Sequence, residues 1–411
     1  MRLRKRAIGL LVGVGVLFVL GTNVQAGWLF VLAALLIGAV AAGLVLPVRA
    51  TRGVVVERRA PEEVHQGDEA IVDVVVHGGR HVTRRGLLVH DRFLEPTDLW
   101  VGTVRPGEQV EVTTMRMARD RGVHRTEPVS VRSSAPFGVA ERRRRVEAGG
   151  PTTTVLPAVE PLGPLPFVRA APTTELAMHT APRRGHGPEY LGIREYRPGD
   201  SMRHVHWAST ARTGAMMVRE FEQEQTRRLA IVIDAGRDGR SGDDPFSALD
   251  RVCSAAASIA LAALAQGHGA RLVSGELEDV DILSRADEHE LLERLANVTA
   301  EPETMPFPAL IATATGSLWG VETAVLVFPT WDGNSPERLA PAVEALVDRV
   351  PTTVAVPVVV DRLGHRDALT EERIDGLSQR LRAAGASVHP WRAGTPLAHA
   401  LGVDREEVHA R

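Results

Sequence analysis

Cysteine, lysine and aromatic residues are scarce in this chain of 411 residues. The single cysteine, Cys253, excludes a disulfide scaffold and a zinc site built from four thiolates. Aromatic side chains make up only 4% of the residues, which is too few for the stacking platforms that bind single-stranded nucleic acid. Lysine occurs once, at Lys5, so nearly all of the positive charge is arginine, as is typical of proteins from GC-rich genomes.

The familiar sequence motifs of catalysis are also missing. The chain has no Walker A loop, no G-x-S-x-G elbow, no H-E-x-x-H zinc motif and no cysteine–histidine pair in a suitable context. We therefore predict no catalytic residue and no cofactor, and an enzyme is not the favoured class. A hydrolase or metal-dependent enzyme acting in cell-envelope metabolism is the alternative.

A long uncharged stretch runs from Ala7 to Val48. Its 42 residues suffice for two membrane spans of about 20 residues each, and we expect helices near 7–22 and 26–46. Basic residues flank both ends of the stretch, whereas the connecting turn carries no charge. The positive-inside rule then places both ends, and with them the soluble part of the chain, in the cytoplasm.

A cleaved signal peptide is the alternative for the first apolar stretch, because Val24-Gln25-Ala26 resembles a cleavage site. The second stretch would still stop transfer, so both interpretations leave residues 49–411 in the cytoplasm. A single unpaired cysteine fits the reducing conditions of that compartment.

Residues 49–160 are predicted to form a small all-β domain. The β-branched runs 54–56 and 70–76 indicate strands, and Pro61 and Gly67 separate them. Further short strands are expected near 87–90, 110–117 and 129–133. Strands at roughly ten-residue spacing favour a sandwich of the immunoglobulin-like type.

The middle segment, residues 161–228, is dense in glycine, arginine, histidine and acidic side chains and has few periodic apolar positions. A strand through 203–207 would place Trp207 on one face and His204 and His206 on the other. Such a histidine pair can bind a metal, but nothing nearby supplies the third ligand that a site needs.

The favoured alternative for this segment is a buried polar latch, in which arginines pair with carboxylates and hold the segment to the domain that follows. A surface for docking a partner, built from the same residues, is equally compatible with the pattern. Pro198-Gly199-Asp200 predicts a turn within it, because proline fixes φ and glycine accepts a positive φ.

This segment resembles the signature of the bacterial family called domain of unknown function 58. The matching motifs are Gly187-Pro188-Glu189-Tyr190, Arg194-Glu195-Tyr196-Arg197-Pro198-Gly199-Asp200, Arg203-His204-Val205-His206-Trp207 and Thr210-Ala211-Arg212. The candidate interaction residues taken from these motifs are Glu189, Arg194, Tyr196, Pro198, Gly199, Asp200, Arg203, His206, Trp207 and Arg212. The resemblance also covers the apolar hairpin, the β-domain with its motif Ser134-Ala135-Pro136-Phe137-Gly138, and the C-terminal domain.

The resemblance carries expectations about fold and partners. It implies that the C-terminal domain is similar to von Willebrand factor A domains. Members of the family are commonly encoded beside a MoxR-type AAA+ ATPase and a transglutaminase-like membrane protein. The resemblance therefore implies a membrane-tethered partner of an ATPase rather than a known catalyst.

Residues 229–411 alternate between strand and helix patterns, which predicts a doubly wound, mostly parallel α/β sheet. The apolar run Leu229–Ile233 is typical of a strand buried on both faces. Ser247 and Asp250 predict a capping box at the first helix, where Cys253 is expected to be a buried core thiol. Later strands are expected near 271–274, 324–328, 354–360 and 386–389, with helices near 287–297, 336–348 and 370–384.

Acidic residues follow two strands of this domain, where ligands of parallel sheets gather. A von Willebrand A domain binds Mg²⁺ through Asp-x-Ser-x-Ser, a distant Thr and a later Asp, whereas this chain has Asp234-Ala235-Gly236-Arg237-Asp238. Both serines are absent, and Arg237 brings positive charge toward the ion position. Asp234, Asp238 and Asp332 are the candidate ligands of a degenerate Mg²⁺ site, and a metal-free fold is the favoured alternative.

Charge is divided unevenly along the chain, although the formal total is only −3. Residues 1–46 carry four basic groups and no acid, whereas residues 229–411 carry 16 basic against 28 acidic groups, a net −12. We therefore predict an adaptor anchored in the membrane, which presents an acidic domain to a soluble partner in protein assembly, maturation or envelope processes. Nucleic acid is not an expected partner.

Overall fold

The structure, a computed structural model, describes residues 2–3, 5–80, 82–168, 184–196, 205–222, 228–239, 246–275, 279–300, 305–318, 320–359 and 368–403. Contacts between Cα atoms divide the chain into two units. The first comprises Met1–Ala158 and Leu292–Val298, and the second comprises Val159–Leu291 and Thr299–Arg411.

Two apolar helices, α1 (Lys5–Val24) and α2 (Gly27–Thr51), form the hairpin that the uncharged stretch predicts. Both are long and apolar enough to cross a membrane, with mean hydropathies of 2.2 and 2.8. Glycine lets them approach, because a Cβ at Gly21 would lie 3.1 Å from the ring of Phe30. The helix α2 continues five residues beyond the end predicted for the second span.

Between the hairpin and Ala158, the first unit is all-β, as the sequence predicts. Its sheets have the strand orders β1-β10-β9-β5-β6, β11-β2-β4-β7 and β3-β12-β8. The two larger sheets share one core, in which Val72 and Val74 meet Leu87 and Val131. The strands are β1 (Arg2–Leu3), β2 (Val55–Arg59), β3 (Glu63–His65), β4 (Glu69–His77), β5 (Arg84–Asp91), β6 (Thr97–Val104), β7 (Gln109–Met117), β8 (Gly122–His124), β9 (Val129–Ser133), β10 (Ala140–Val146), β11 (Ala148–Gly149) and β12 (Thr153–Leu156).

A buried charge cluster lies in this β-domain. Asp91 is 1% exposed and accepts hydrogen bonds from Arg58 Nη2 at 2.7 Å and Arg116 Nη1 at 2.8 Å. Burial alone would raise the pKa of Asp91, but hydrogen bonds and charge from Arg58, and then from Arg116, hold that pKa below its usual value of 3.8. The Arg58 guanidinium also lies 4.4 Å from the centre of the Phe93 ring.

A second buried arginine connects the β-domain to the apolar hairpin. Arg84, on β5, donates hydrogen bonds to the carbonyl oxygens of Ala50 at 3.1 Å, of Gly53 at 2.8 Å, and of Arg52. These carbonyls stand at and just beyond the end of α2, where helical carbonyls lack partners within the helix. Arg84 therefore caps α2 from the β-domain.

The second unit contains a sheet with the order β17-β16-β15-β18-β19-β20, parallel except for the edge strand β17. The helices α6, α7 and α8 share one core with Ala230, Leu326 and Ala355, and α4 packs against β15, β16 and β18. The mostly parallel sheet covered by helices confirms the predicted α/β class. Strands are β15 (Arg228–Ile233), β16 (Gly269–Val273), β17 (Val280–Ile282), β18 (Val321–Pro329), β19 (Thr352–Val358) and β20 (Ser387–Val388), and helices are α4 (Ala248–Ala265), α6 (Phe307–Ser317), α7 (Pro336–Val347), α8 (Ala368–Ala383) and α9 (Leu397–Leu401). The helix α5 (Glu288–Asn297) has its first turn in this unit and its remaining residues in the first unit.

Local predictions for this unit are confirmed at α4. Ser247 and Asp250 form the predicted capping box, and Cys253 is fully buried among small residues. The sequence patterns missed β17 and α6, because β17 is only three residues long and α6 lacks a charged face.

Candidate functional site

The signature segment contains an antiparallel ribbon followed by a short helix. The ribbon pairs β13 (Arg184–Glu195) with β14 (Met217–Glu222), and the helix α3 (Trp207–Thr213) lies between them in the chain. Glu189 and Arg194 lie on β13. The predicted site residues outside the described part of the chain are Pro198, Gly199, Asp200 and Arg203.

His206 caps α3 and does not continue a strand. Its Nδ1 accepts a hydrogen bond from the backbone N–H of Ser209 at 3.2 Å and lies 2.9 Å from the Ser209 hydroxyl. The predicted strand through 203–207 is therefore wrong at its end, since the chain becomes helical at Trp207. A side-chain acceptor at the N-cap satisfies a backbone donor that has no partner within the helix, and this favours the helical turn.

Backbone contacts fasten this helix to the ribbon. The His206 N–H donates to the carbonyl of Met217 at 2.7 Å, and the Met217 N–H donates to the Thr210 hydroxyl at 2.9 Å. The N–H of Tyr196, itself half-buried, donates to the carbonyl of Met216 at 2.8 Å. Two residues of the predicted set, His206 and Tyr196, thus have local structural partners.

Trp207 and Arg212 of the same helix are exposed at the surface. Trp207 is 66% exposed, and Arg212 is exposed as well. A tryptophan normally buries most of its large surface, and tryptophan and arginine are enriched where protein interfaces gain their affinity. The signature therefore presents an aromatic and a cationic side chain to the surface of its unit.

Asp234 lies at a second candidate site, the point where the strand order of the sheet reverses. It directly follows β15, whose parallel partner β18 accepts the Asp234 N–H through the carbonyl of Val327 at 3.0 Å. From β15 the chain passes first to β16 on one side and later to β18 on the other side. Such a reversal of strand order leaves a crevice at the carboxyl ends of the strands.

The Asp234 carboxylate is 5% exposed and held by N–H donors. Its Oδ1 accepts from the backbone N–H of Gly236 at 2.9 Å, and its Oδ2 accepts from Asn334 Nδ2 at 2.6 Å. Burial raises the pKa of Asp234, and the hydrogen bonds from Asn334, Gly236 and the Trp331 side chain oppose that rise without cancelling it.

The two other predicted metal ligands have different surroundings. Asp238 is exposed, and its Oδ1 accepts from the backbone N–H groups of Gly239 at 2.8 Å and of Leu249 in α4 at 3.4 Å. Asp332 begins a short 3₁₀ turn ending at Asn334, and its side chain is outside the described part of the structure.

The donors around Asp234 fit a magnesium ion poorly. N–H groups already face both of its carboxylate oxygens, and the Arg237 guanidinium lies 6.0 Å from the Trp331 ring. Magnesium prefers an octahedron of oxygen ligands, and N–H dipoles oppose a cation. The set Asp234, Asp238 and Asp332 stays a prediction, and the observed arrangement is a buried hydrogen-bonded carboxylate.

Part of the chain, which includes α3 and Asp234, matches a known protein family. Residues 192–319 match the family described as "Protein of unknown function DUF58". The segment that carries the signature is thus similar to the DUF58 family. It is 31% identical over 105 residues to "Uncharacterized protein YeaD" of Bacillus subtilis (strain 168), a match that covers 25% of this chain and 24% of that protein. The chain thus spans about a quarter of the length of this curated relative.

Solved structures give weaker likenesses to this chain. The CARDB domain of PF1109 from Pyrococcus furiosus matches at 15% identity and a TM-score of 0.16, covering 23% of this chain and 94% of that domain. A GH20 exo-β-N-acetylglucosaminidase from Vibrio harveyi matches at 9% identity and a TM-score of 0.23, covering 82% of this chain and 75% of the enzyme. At such scores neither structure indicates a fold or an activity for this chain.

The DUF58 match includes the α3 cap and Asp234 but ends before Asn334, the partner of Asp234. Sequence analysis missed Asn334 because the two residues are separated by 100 positions. The available signal was the polar run Trp331–Asn334, which follows the strand beside Asp234 in a parallel sheet. Turn residues at neighbouring carboxyl ends are expected to meet, since parallel strands end at the same edge.

Proposed function

We propose that this DUF58 protein is a membrane-anchored adaptor whose signature helix docks a soluble protein partner. The exposure of Trp207 carries this proposal. The family signature folds His206 and Thr210 into structural contacts, and it leaves Trp207 and Arg212 outward, which suits recognition better than catalysis.

The anchor in this proposal is the α1–α2 hairpin. Its apolar length, together with the basic flanks Arg2–Arg6 and Arg49–Arg59, supports two spans with both ends in the cytoplasm. The cap that Arg84 places on α2 supports a firm connection between the hairpin and the β-domain. We propose an immunoglobulin-like arrangement for that domain.

A von Willebrand A-like identity for the α/β domain is part of the same proposal. The strand order, the single antiparallel edge strand and the position of Asp234 at the reversal point support it. In this chain the buried Asp234 carboxylate serves the architecture of that edge through Asn334.

We propose a MoxR-type AAA+ ATPase as the partner, with a transglutaminase-like membrane protein as a further member of the assembly. The family resemblance suggests both. The net −12 of residues 229–411 supports a partner with a basic surface, because opposite charge steers protein association.

Affinity capture from native membranes with a single tryptophan variant tests the proposal. Trp207→Ala in the full chain should reduce recovery of the ATPase by tenfold or more, since a hot-spot residue contributes about 2 kcal/mol. Trp100→Ala is the matched control, because Trp100 is 67% exposed on β6 of the β-domain. Equal recovery with both variants, or no ATPase with the unmodified chain, would contradict the proposal.

The hydrolase alternative draws on the His206 Nδ1–Ser209 Oγ distance of 2.9 Å, which resembles a base beside a nucleophile. However, Ser209 is 8% exposed and Nδ1 already serves as the helix cap. His206→Asn separates the two functions, because asparagine retains an N-cap acceptor but has no imidazole. A hydrolase would lose its activity in this variant, whereas the adaptor should retain its partner.

A further inference from the structure

A loop of the β-domain packs against the middle of the second apolar helix. This 134–138 loop connects β9 to β10, and its Phe137 lines an apolar groove of about 480 Å³ along α2. The groove residues on α2 lie on one helical face and are Val31, Ala34, Leu35, Gly38, Ala39 and Ala42. Phe137 remains 48% exposed within this apolar surrounding.

The distance along α2 between this contact and the basic residue Arg49 shows how deep the loop would lie in a bilayer. Phe137 lines the groove together with residues of α2 that precede the basic residue Arg49 by 7 or more positions, Ala42 being the nearest of them. At 1.5 Å per residue, the groove begins about 10 Å beyond Arg49 along the helix axis. The headgroup layer on one side of a bilayer is only about 5–8 Å thick. With Arg49 at the headgroups, Phe137 is therefore among acyl chains.

Two further contacts give the same depth independently. Val139 packs into α2 so closely that a Cβ at Gly43 would lie 2.7 Å from it. The strand β1, which directly precedes α1, pairs Leu3 with Ala140 and Arg2 with Glu141. The beginning of β10 is thus level with the beginning of the first apolar helix, and the 134–138 loop lies beyond that level.

The loop is also chemically suited to a bilayer. Non-helical backbone at membrane depth is tolerated where it packs against protein, here α2, and where its donors have partners. The Gly138 N–H donates to the Ser134 carbonyl at 2.8 Å, and the Ala135 N–H donates to the Ser133 hydroxyl at 3.4 Å. Pro136 has no N–H. Beyond the loop, β10 carries exposed arginines at 143–145, which suit the headgroup level.

We propose that the 134–138 loop is inserted in the lipid bilayer beside α2, with Phe137 among the acyl chains. The occupant of the groove is lipid, because the groove is continuous with the lipid-facing surface of a membrane-spanning helix. The β-domain is then held to the bilayer by the inserted 134–138 loop as well as by the α1–α2 hairpin. This inference rests on the membrane anchoring proposed above, and the experiment below separates the two.

Nitroxide labels on the full chain, reconstituted in phosphatidylcholine vesicles, test the insertion. Single cysteines replace Phe137, Met115 or Leu35 in a Cys253→Ala background, and collision rates with oxygen and with a water-soluble nickel chelate are compared. Met115 is the matched control, an apolar residue 64% exposed on β7. The end of the sheet nearest α2 contains the β4–β7 pair Val76–Val110. Met115 lies five residues further along β7 than Val110, which places it about 17 Å from that end.

The oxygen-to-nickel ratio at position 137 should match that at position 35 and exceed that at position 115 by about tenfold, because a polar complex is excluded from hydrocarbon. A ratio at 137 equal to that at 115, with position 35 in lipid, overturns the insertion and leaves the anchor intact. Water access at position 35 overturns the anchor itself. Dipolar broadening at 137 without oxygen access would identify a second copy in the groove and also overturn the proposal.

The unmodified chain offers a second measurement that needs no substitution. A phospholipid with a photoreactive diazirine at the end of its acyl chain should label the peptide containing Phe137 and leave the peptide containing Met115 unlabelled. Equal absence of label from both peptides, with label present on α2, would contradict the insertion.

Discussion

Asn334 Nδ2 donates a hydrogen bond of 2.6 Å to Asp234 Oδ2, joining two buried residues that are 100 positions apart. The same Nδ2 donates to the Pro329 carbonyl at 3.0 Å, so one amide connects the carboxyl ends of β15 and β18. The Asn334 side chain therefore contributes to the stability of this edge of the sheet.

Removing this amide should loosen the sheet edge. Asn334→Ala leaves a buried carboxylate oxygen and a carbonyl without their donor, at a cost of about 1–3 kcal/mol. The expected result is faster hydrogen exchange in peptides covering 229–239. Asn297→Ala is the control, because Asn297 is exposed and donates only along its own helix at 2.8 Å. Equal exchange in both variants would contradict the structural importance of the amide.

The raised pKa of Asp234 predicts a specific pH dependence. The folded state holds the Asp234 proton more tightly than the unfolded chain does. The stabilisation from that proton is therefore complete below the usual pKa of 3.8 and is lost as pH rises through the raised folded-state value. Relative to Asp234→Asn, the wild-type free energy of unfolding should fall over this window. A difference that is constant with pH would contradict the raised pKa.

The buried carboxylate of the β-domain predicts the opposite pH dependence. The lowered pKa of Asp91 means that its stabilisation is present above the usual value of 3.8 and is lost as pH falls through the lower folded-state value. Asp91→Asn leaves Arg58 and Arg116 buried without their counter-charge, and should cost about 3–5 kcal/mol. The measurement is hydrogen exchange in β4 and β7.

Asp98→Asn is the matched control for the Asp91 prediction. Asp98 also accepts a hydrogen bond from an arginine, Arg132 at 2.8 Å, but its side chain is 54% exposed. Solvent screens such a pair, so this variant should cost less than about 1 kcal/mol. Similar losses in the two variants would show that burial of Asp91 does not determine its contribution.

The cap on α2 predicts a local effect of Arg84→Met. The carbonyls of Ala50, Arg52 and Gly53 would lose their donor, which should cost about 2–3 kcal/mol. Hydrogen exchange of the full chain in vesicles should then increase near the end of α2. The neighbouring Arg85→Met, at an exposed position, should leave that exchange unchanged.

Several features could be predicted from short stretches of sequence. The uncharged run from Ala7 to Val48 predicts the two apolar helices, because charge is too costly within a membrane span. Leu229–Ile233 predicts a central strand from its unbroken apolar character, and Ser247 with Asp250 predicts the capping box at α4. In each case the feature depends on the side chains of one continuous segment of the chain.

The candidate sites depend on contacts between residues far apart in the chain, which a local sequence pattern does not reveal. The sequence by itself determined the apolar hairpin, the all-β and α/β classes and the family signature, because hydropathy, periodicity and motif spacing are local. Only the tertiary structure decided that Asn334 holds Asp234, that Arg84 caps α2 and that Phe137 lies beside α2. Each of these contacts joins residues 30 or more positions apart, and chain folding alone brings them together.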